Sequence, residues 1–421
     1  MPDKNYSRKR NSYRNFNIIL TIAIVFSLII VLYQFNVFDP LFPEENGIEE
    51  SPRIKEPLIN THDHIDNMNI LDNWLASQRQ CNVSATIMVG SPNSTFWSIP
   101  KGPFVKYLED NELLLEMALK TNDEIIAFPT LNPNDDGNLE RLKDYISRGA
   151  RGLNLWTGHH GTMEGWWGET TLYDWLGPLN RTDMYPIYEY CQENRIPIIW
   201  SNNLGVREVR EQFWQIMEKF PDMIIKIPHF GVCFREYNLP FIEEFLDKCD
   251  GGYTCFSWGH PDFVMEKFEN ISSGNRTEAI KQFFYKYQDR IMFATDIVPT
   301  DHPRKTTEWM RKHTQAYIDV LSKDKYYLEI YDFTPDGRDF IGEYNGLNLP
   351  KDILEKVLFK NAIKFLNGKK WNESLDDKDN STLWEFDGLH FEMLNEVSMH
   401  SNGSMVLALS MKKRNLIILY F

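Results

Sequence analysis

LINTHDHI, residues 58–65, is the stretch from which the fold can be read. Leu58–Asn60 is a short apolar, β-branched run that leads into Thr61-His62-Asp63-His64. Side chains alternate along a strand, so His62 and His64 face the same way. Seven more runs of this kind follow, at Ala85–Val89, Ile125–Pro129, Gly152–Trp156, Ile196–Trp200, Ile224–Ile227, Tyr253–Ser257 and Arg290–Ala294. Segments of helical period separate them. Phe104–Lys120 carries Leu108, Leu113, Leu115 and Leu119, and Val206–Phe220 carries Val209, Phe213, Ile216 and Met217. Strand-like and helix-like runs in alternation predict an α/β fold, a (β/α)8 TIM barrel over residues 57–371. A doubly wound sheet is the rival, but no GxGxxG follows the first run. Beyond the last run, Lys305–Ser322 and Lys351–Leu366 read as helices around an aromatic, Gly-rich stretch, Tyr326–Asn348. Residues 372–421 read as a short C-terminal extension of a few strands, too little for a core of its own.

The other end of the chain is built differently. Residues 1–14 hold Lys4, Arg8, Lys9, Arg10 and Arg14 against the single acid Asp3. Ile18–Tyr33, IILTIAIVFSLIIVLY, is free of charge, and the uncharged stretch continues to Phe38. A helix needs roughly 17–25 residues to cross the hydrocarbon core. Residues 15–38 therefore read as one N-terminal transmembrane helix, a retained signal anchor, since no small-x-small cleavage site follows it. The positive-inside rule places the N-terminal tail in the cytoplasm and the barrel outside, a single-pass membrane protein. Residues 39–56, rich in Pro, Glu and Gly, read as a linker.

Composition narrows the function. The 421 residues carry a formal net charge of −15, with 45 Lys and Arg against 60 Asp and Glu. An acidic surplus of this size argues against nucleic acid, whose binding rests on cations that neutralise phosphates. The five cysteines are too few for a disulfide framework, and none forms a CxxC pair.

Reactive groups of a parallel barrel collect where strands end. The first run ends at His62 and His64, the sixth at Ile227-Pro228-His229-Phe230-Gly231, and the eighth at Phe293-Ala294-Thr295-Asp296. Two imidazoles on one face just past a strand make a metal-ligand pattern, and the His after the sixth run and the Asp after the eighth converge with them at the barrel top. Trp156 and Trp200 end strands, and together with the loop GTMEGWWGE (161–169) they predict aromatic walls for a planar or apolar small-molecule substrate.

With these motifs the chain resembles the amidohydrolase-related family of the metal-dependent hydrolase superfamily, in the branch of 2-amino-3-carboxymuconate-semialdehyde decarboxylase-like enzymes. The resemblance runs from about Pro57 to Leu366. It is carried by INTHDHI (59–65), GARGLNLWTGHHG (149–161), MYPIYEYCQENRIPIIWS (184–201), IPHFG (227–231), YQDRIMFATD (287–296) and NAIKFL (361–366). It implies a divalent metal, usually zinc, on His62, His64 and Asp296, with Asp296 and His229 catalytic. Two positions depart from the family pattern: Ser201 stands where a strand-five His is common, and Asn154 where many members have Lys. Asn202, Asn203, His159 and His160 lie on neighbouring loops as auxiliary groups, and some lactonases of the family need no metal. The activity implied is hydrolysis of an amide, ester or lactone, with decarboxylation of an unsaturated acid as the alternative. A degenerate barrel that only binds its ligand is the reading outside enzymology, favoured by Ser201 and Asn154.

Overall fold

Short β-branched runs buried on both faces form parallel strands, because helices must cover the sheet on its outer side. The structure, a computed structural model, describes residues 58–64, 67–90, 104, 106–156, 178–232, 239–257, 275–300, 302–331 and 339–374, and the backbone of three short strands beyond them. All of these belong to the unit Ile54–Phe421. Its strands β1 (Leu58–Asp63), β2 (Val83–Val89), β3 (Ile125–Phe128), β4 (Leu153–Trp156), β5 (Ile198–Ser201), β6 (Ile225–Ile227), β7 (Gly252–Phe256) and β8 (Ile291–Phe293) fall on the eight predicted runs, with ends shifted by a few residues. Helices α1 (Leu71–Gln80), α2 (Tyr107–Lys120), α3 (Asn138–Ser147), α4 (Tyr185–Glu193), α5 (Arg207–Lys219), α6 (Leu239–Lys248), α7 (Asn275–Lys286) and α8 (Thr307–Ser322) alternate with them.

Regular ladders run β1-β2-β3 and β4-β5-β6-β7-β8, all parallel. Two seams close the ring. Arg151 N donates to Ala127 O at 3.0 Å and Asn154 N to Pro129 O at 2.9 Å, joining β3 to β4. Asp296 N donates to His62 O at 2.7 Å and His64 N to Ile297 O at 3.0 Å, joining β8 back to β1. The second seam is made by the backbone of the predicted functional residues themselves. Closure removes the unpaired strand edges that an open sheet would leave.

The helices pack where their apolar faces allow. Val209, Phe213, Ile216 and Met217 of α5 are buried as predicted, and each such side chain contributes about 1.5–3 kcal/mol when fully removed from water. The α2 stripe differs from the predicted one: Tyr107, Asn111, Leu114, Leu115 and Met117 are buried, whereas Leu119 is 82% exposed and Leu108 lies at the surface. A polar tether sets that rotation. The Asn111 side chain donates to Thr130 O at 2.8 Å and accepts from Thr130 N at 2.9 Å, fixing its face of α2 to the end of β3. Trp200 corrects a second expectation. Its ring stacks on Tyr188 of α4 and meets Phe213 of α5 edge-on, so it faces the helices and not the barrel mouth. Strand alternation explains this, because Ser201 and Trp200 must point to opposite sides.

After α8, the aromatic stretch forms an antiparallel hairpin, β9 (Lys325–Ile330) and β10 (Phe340–Asn345). Helices α9 (Lys351–Glu355) and α10 (Asn361–Leu366) follow, joined by a widened turn at Lys356–Lys360. Asn361 Nδ2 donates to Gln288 O at 2.7 Å and Ile291 O at 2.8 Å, which seats α10 on the start of β8. In the C-terminal extension, β11 (Ser398–Met399), β12 (Met405–Leu409) and β13 (Ile417–Tyr420) pair as an antiparallel sheet. Among the described residues no helix is long and apolar enough to cross a membrane. The predicted anchor at 15–38 lies outside the described residues, as do His159, His160 and the 161–169 loop.

Candidate active site

Four side chains meet at the C-terminal ends of β1, β6 and β8. His62 and His64 leave the end of β1, where the register with β2 shifts between Asn60 and Asp63. A shift of this kind re-aims side chains next to an active site. His229 follows β6, and Asp296 follows β8. The carboxylate is their common partner. His64 Nε2 is 2.9 Å from Asp296 Oδ1, His62 Nε2 is 3.3 Å from the same oxygen, and His229 Nε2 is 3.8 Å from Oδ2. The His62 ring meets those of His64 and His229 edge-on at 5.0 and 5.1 Å between centroids.

One donor atom each from His62, His229 and Asp296 lies within 4.8 Å of the others. Ligands of one ion sit ~2 Å from it, so donors this close can share one after small adjustments. His229 thus joins the donor cluster, whereas the sequence reading gave it a role beside the metal. Its Nδ1 is 2.8 Å from Ser257 O and 3.1 Å from Ser257 Oγ. Since a carbonyl can only accept, Nδ1 carries a proton, and Nε2 is the nitrogen turned to Asp296.

Electrostatics fix the charge states. Burial pushes His62 down to about 4, against the pull of Asp296, so its imidazole is neutral at physiological pH. Burial would raise Asp296, but the attraction of His229 and hydrogen bonds from His62 and His64 outweigh it and hold the carboxyl well below its usual range. Both His229 and Asp296 have left-handed backbone, with φ of 60° and 59°. Such strain persists where the surroundings enforce it, and it gathers at functional sites.

Asp63, between the two histidines, sits behind the cluster and ties its strands together. Its Oδ1 accepts from Thr295 Oγ1 at 2.5 Å and Ile297 N at 2.8 Å; its Oδ2 accepts from Asn60 Nδ2 at 2.9 Å and Trp74 Nε1 at 3.2 Å. The residues on both sides of Asp296 are therefore gripped by one carboxylate. A charged residue between the two histidines of an HxH was the available signal.

The auxiliary positions divide. Asn154 reaches across β3 to donate from Nδ2 to Gly90 O at 2.6 Å, and its Oδ1 is buried without a hydrogen-bond partner. Ser201 is buried at the end of β5, in register with Trp156 on β4. Asn203 accepts from Gly205 N at 3.0 Å, which makes it a turn former. Asn202 is fully buried with both amide atoms unpartnered among the described residues.

The amidohydrolase family model matches residues 106–368, more than half of the chain. The chain belongs to the amidohydrolase family. The matched span contains His229 and Asp296, and the fold brings His62 and His64 to them from outside it. No curated protein matches this chain. Among solved structures it is similar to an uncharacterised TIM-barrel protein from Bordetella bronchiseptica, at 12% identity and TM-score 0.46, over 74% of this chain and 99% of that one. Another is 5-carboxyvanillate decarboxylase from Novosphingobium aromaticivorans, complexed with manganese, at 12% identity and TM-score 0.43, over 74% and 96% of the two chains. A third is 4-oxalomesaconate hydratase from Rhodopseudomonas palustris, at 15% identity and TM-score 0.42, over 74% and 96%. The amidohydrolase is an enzyme of this family, and identities this low assign it no substrate.

Proposed function

We propose that this amidohydrolase is a hydrolase of amide, ester or lactone bonds, using a divalent metal, zinc by the chemistry of the donors. The convergence of His62, His229 and Asp296 carries the reading. The residues fit an ion: two imidazoles and a carboxylate are a zinc donor set, and they offer donor atoms within 4.8 Å of one another. A bound ion would supply Lewis acidity and make water acidic enough to attack at neutral pH.

The chain's own residues do the rest. His62 and His229 are the nitrogen donors, the latter oriented by Ser257. Asp296, ionised under the influence of its three histidines, receives the proton of the attacking water at Oδ1. The hydrogen bond that His64 Nε2 donates at 2.9 Å steadies the carboxylate, and Asp296 passes the proton on to the leaving group. Strand ends hold these groups in place before substrate arrives, so little reorganisation accompanies the reaction. Asn154, Ser201 and Trp156, around the tops of β4 and β5, contact the substrate in this reading.

The test is metal content by mass spectrometry, with a substrate panel of amides, esters, lactones and unsaturated carboxylic acids. We expect His62→Ala and Asp296→Asn to lose metal and hydrolysis together. Release of carbon dioxide from an unsaturated acid, with no hydrolysis, would instead establish the decarboxylase of the same branch. A wild-type chain that holds no metal and turns over nothing would leave the degenerate barrel. We also hold to the single-pass anchor, supported by the basic tail 1–14 and the uncharged run 18–38. Release of the chain from membranes by alkaline carbonate would refute it.

A further inference from the structure

Below the donor cluster lies a charge that the chemistry above does not use. Lys226, at the centre of β6, interrupts the apolar run Met223–Ile227 and is completely buried. Its Nζ donates to Thr61 O at 2.7 Å and to Thr61 Oγ1 at 2.9 Å. The side chain therefore crosses the barrel from β6 to β1, strands that are not neighbours in the ring. Cys255 on β7 is a further side-chain partner. Cys255 Sγ is in turn 3.1 Å from Ser257 Oγ, in the residue that orients His229. One end of this buried polar chain is thus the residue before His62, and the other is the partner of His229.

A buried ammonium is costly unless acceptors and a counter-charge are at hand. Burial lowers Lys226 from its ordinary value, while Cys255 and the Asp296 carboxylate pull the other way and Thr61 supplies the acceptors; His62 is also within electrostatic reach of it. The same proximity bears on any cation placed among the donors. Like charges repel strongly in a medium of low dielectric, and salt screens buried charges poorly.

We propose that Lys226 is the resident counter-charge of the site, an ammonium fixed under the donors that offsets Asp296 and loosens their hold on a divalent ion. It is a positioning and electrostatic residue and does not touch the reacting atoms. The proposal rests on the metal-site reading above, and its test separates the two.

The full chain, stripped of metal, is titrated with Zn²⁺ and with Mn²⁺ in competition with a chromophoric chelator. Lys226→Gln removes the charge and keeps a donor toward Thr61; Lys226→Met removes both; Lys226→Arg keeps the charge. The two neutral variants should bind either ion roughly tenfold tighter or more, for loss of a nearby unit charge, while Lys226→Arg stays close to wild type. His62→Ala is the control for the site itself. Neutral variants that fold by circular dichroism yet bind no tighter than wild type would overturn the proposal. So would a failure of both neutral variants to fold while Lys226→Arg folds, because the ammonium would then be a structural element. Metal binding that His62→Ala leaves unchanged would instead overturn the metal-site reading, and this proposal with it.

Discussion

Asp63→Asn probes the seam that holds the site. The substitution keeps shape and replaces one carboxylate oxygen by an NH2 group. Around Asp63 stand four donors: Thr295 Oγ1 and Ile297 N on one oxygen, Asn60 Nδ2 and Trp74 Nε1 on the other. Turned toward Asn60 and Trp74, its NH2 faces two donors; turned the other way, it faces Ile297 N and the Thr295 hydroxyl, which can accept. Asn60 cannot flip to help without loss, because its Oδ1 already accepts from His62 N at 3.3 Å and Thr295 N at 3.2 Å. The less costly orientation leaves one buried donor, Ile297 N, unsatisfied at a cost of about 1–3 kcal/mol, which is the loss expected of the variant. Burial pushes Asp63 up to about 7, so the comparison is made at pH 8, where the native carboxyl is ionised. Chemical denaturation at that pH gives the stability difference. Because Asp63 grips Thr295 and Ile297 on either side of Asp296, the loss should reach the donors as well. Removing a group that orients ligands typically weakens metal affinity by about 10–100-fold. A variant within about 1 kcal/mol of wild type, with metal affinity intact, would refute the reasoning, since one lost hydrogen bond alone is worth about that much.

Three further outcomes are expected. In the metal-free protein, His62 stays neutral down to about 4 when folded, against 6.5 unfolded, so its contribution to stability grows as pH rises through that interval. Asp63 holds its proton up to about 7 when folded, against 3.8 unfolded, so its contribution shrinks as pH rises over nearly the same window. His62→Gln should therefore lose stability between pH 5 and 7, relative to wild type, and Asp63→Asn should gain it. Urea midpoints that shift identically in all three proteins would contradict both assignments. Gly152→Ala would drive a methyl group into the Phe128 ring, itself stacked on Phe365 of α10; overpacking of this sort costs about 1–3 kcal/mol, to be read from the thermal midpoint. Trp200→Ala should cost about 3–5 kcal/mol by opening a cavity between β5 and its helices, yet leave KM unchanged; a raised KM at preserved stability would return Trp200 to the substrate wall.

The fold was legible because strand patterning is a local property. Each run from Leu58 to Ala294 carries its own β-branched, apolar signature, and the order of the runs implies the barrel. The chemistry-bearing strand ends were legible for the same reason. What stayed hidden depends on pairs distant in sequence. Leu108 and Leu119 are spaced as a helix face, but the contact between Asn111 and the Thr130 backbone turns α2 away from them. Trp200 follows strand alternation, which its neighbour Ser201 exposes once Ser201 is taken to point inward. Lys226 and Asp63 are both lone charges within or beside apolar runs, visible as anomalies, but their partners lie 165 residues away at Thr61 and 232 away at Thr295.

Left-handed backbone at two of the gathered residues links local conformation to use of the site. A non-glycine residue with positive φ costs of order 1–3 kcal/mol and persists only where its surroundings enforce it. Asp296 is enforced by the Asp63 grip on both its neighbours. His229 is enforced by the bond from Gly231 N to Pro228 O at 2.9 Å and by its own tie to Ser257. The turn continues through Phe230 and Gly231, also left-handed, so three consecutive residues reverse the chain directly after β6. For turning alone, glycine would meet the demand without strain. Histidine and aspartate at these two positions add strain that glycine would not, so their presence is accounted for by what their side chains do. Those side chains are the ones whose donor atoms meet with His62 within 4.8 Å. Strain at β6 and β8 is therefore part of how the site is assembled.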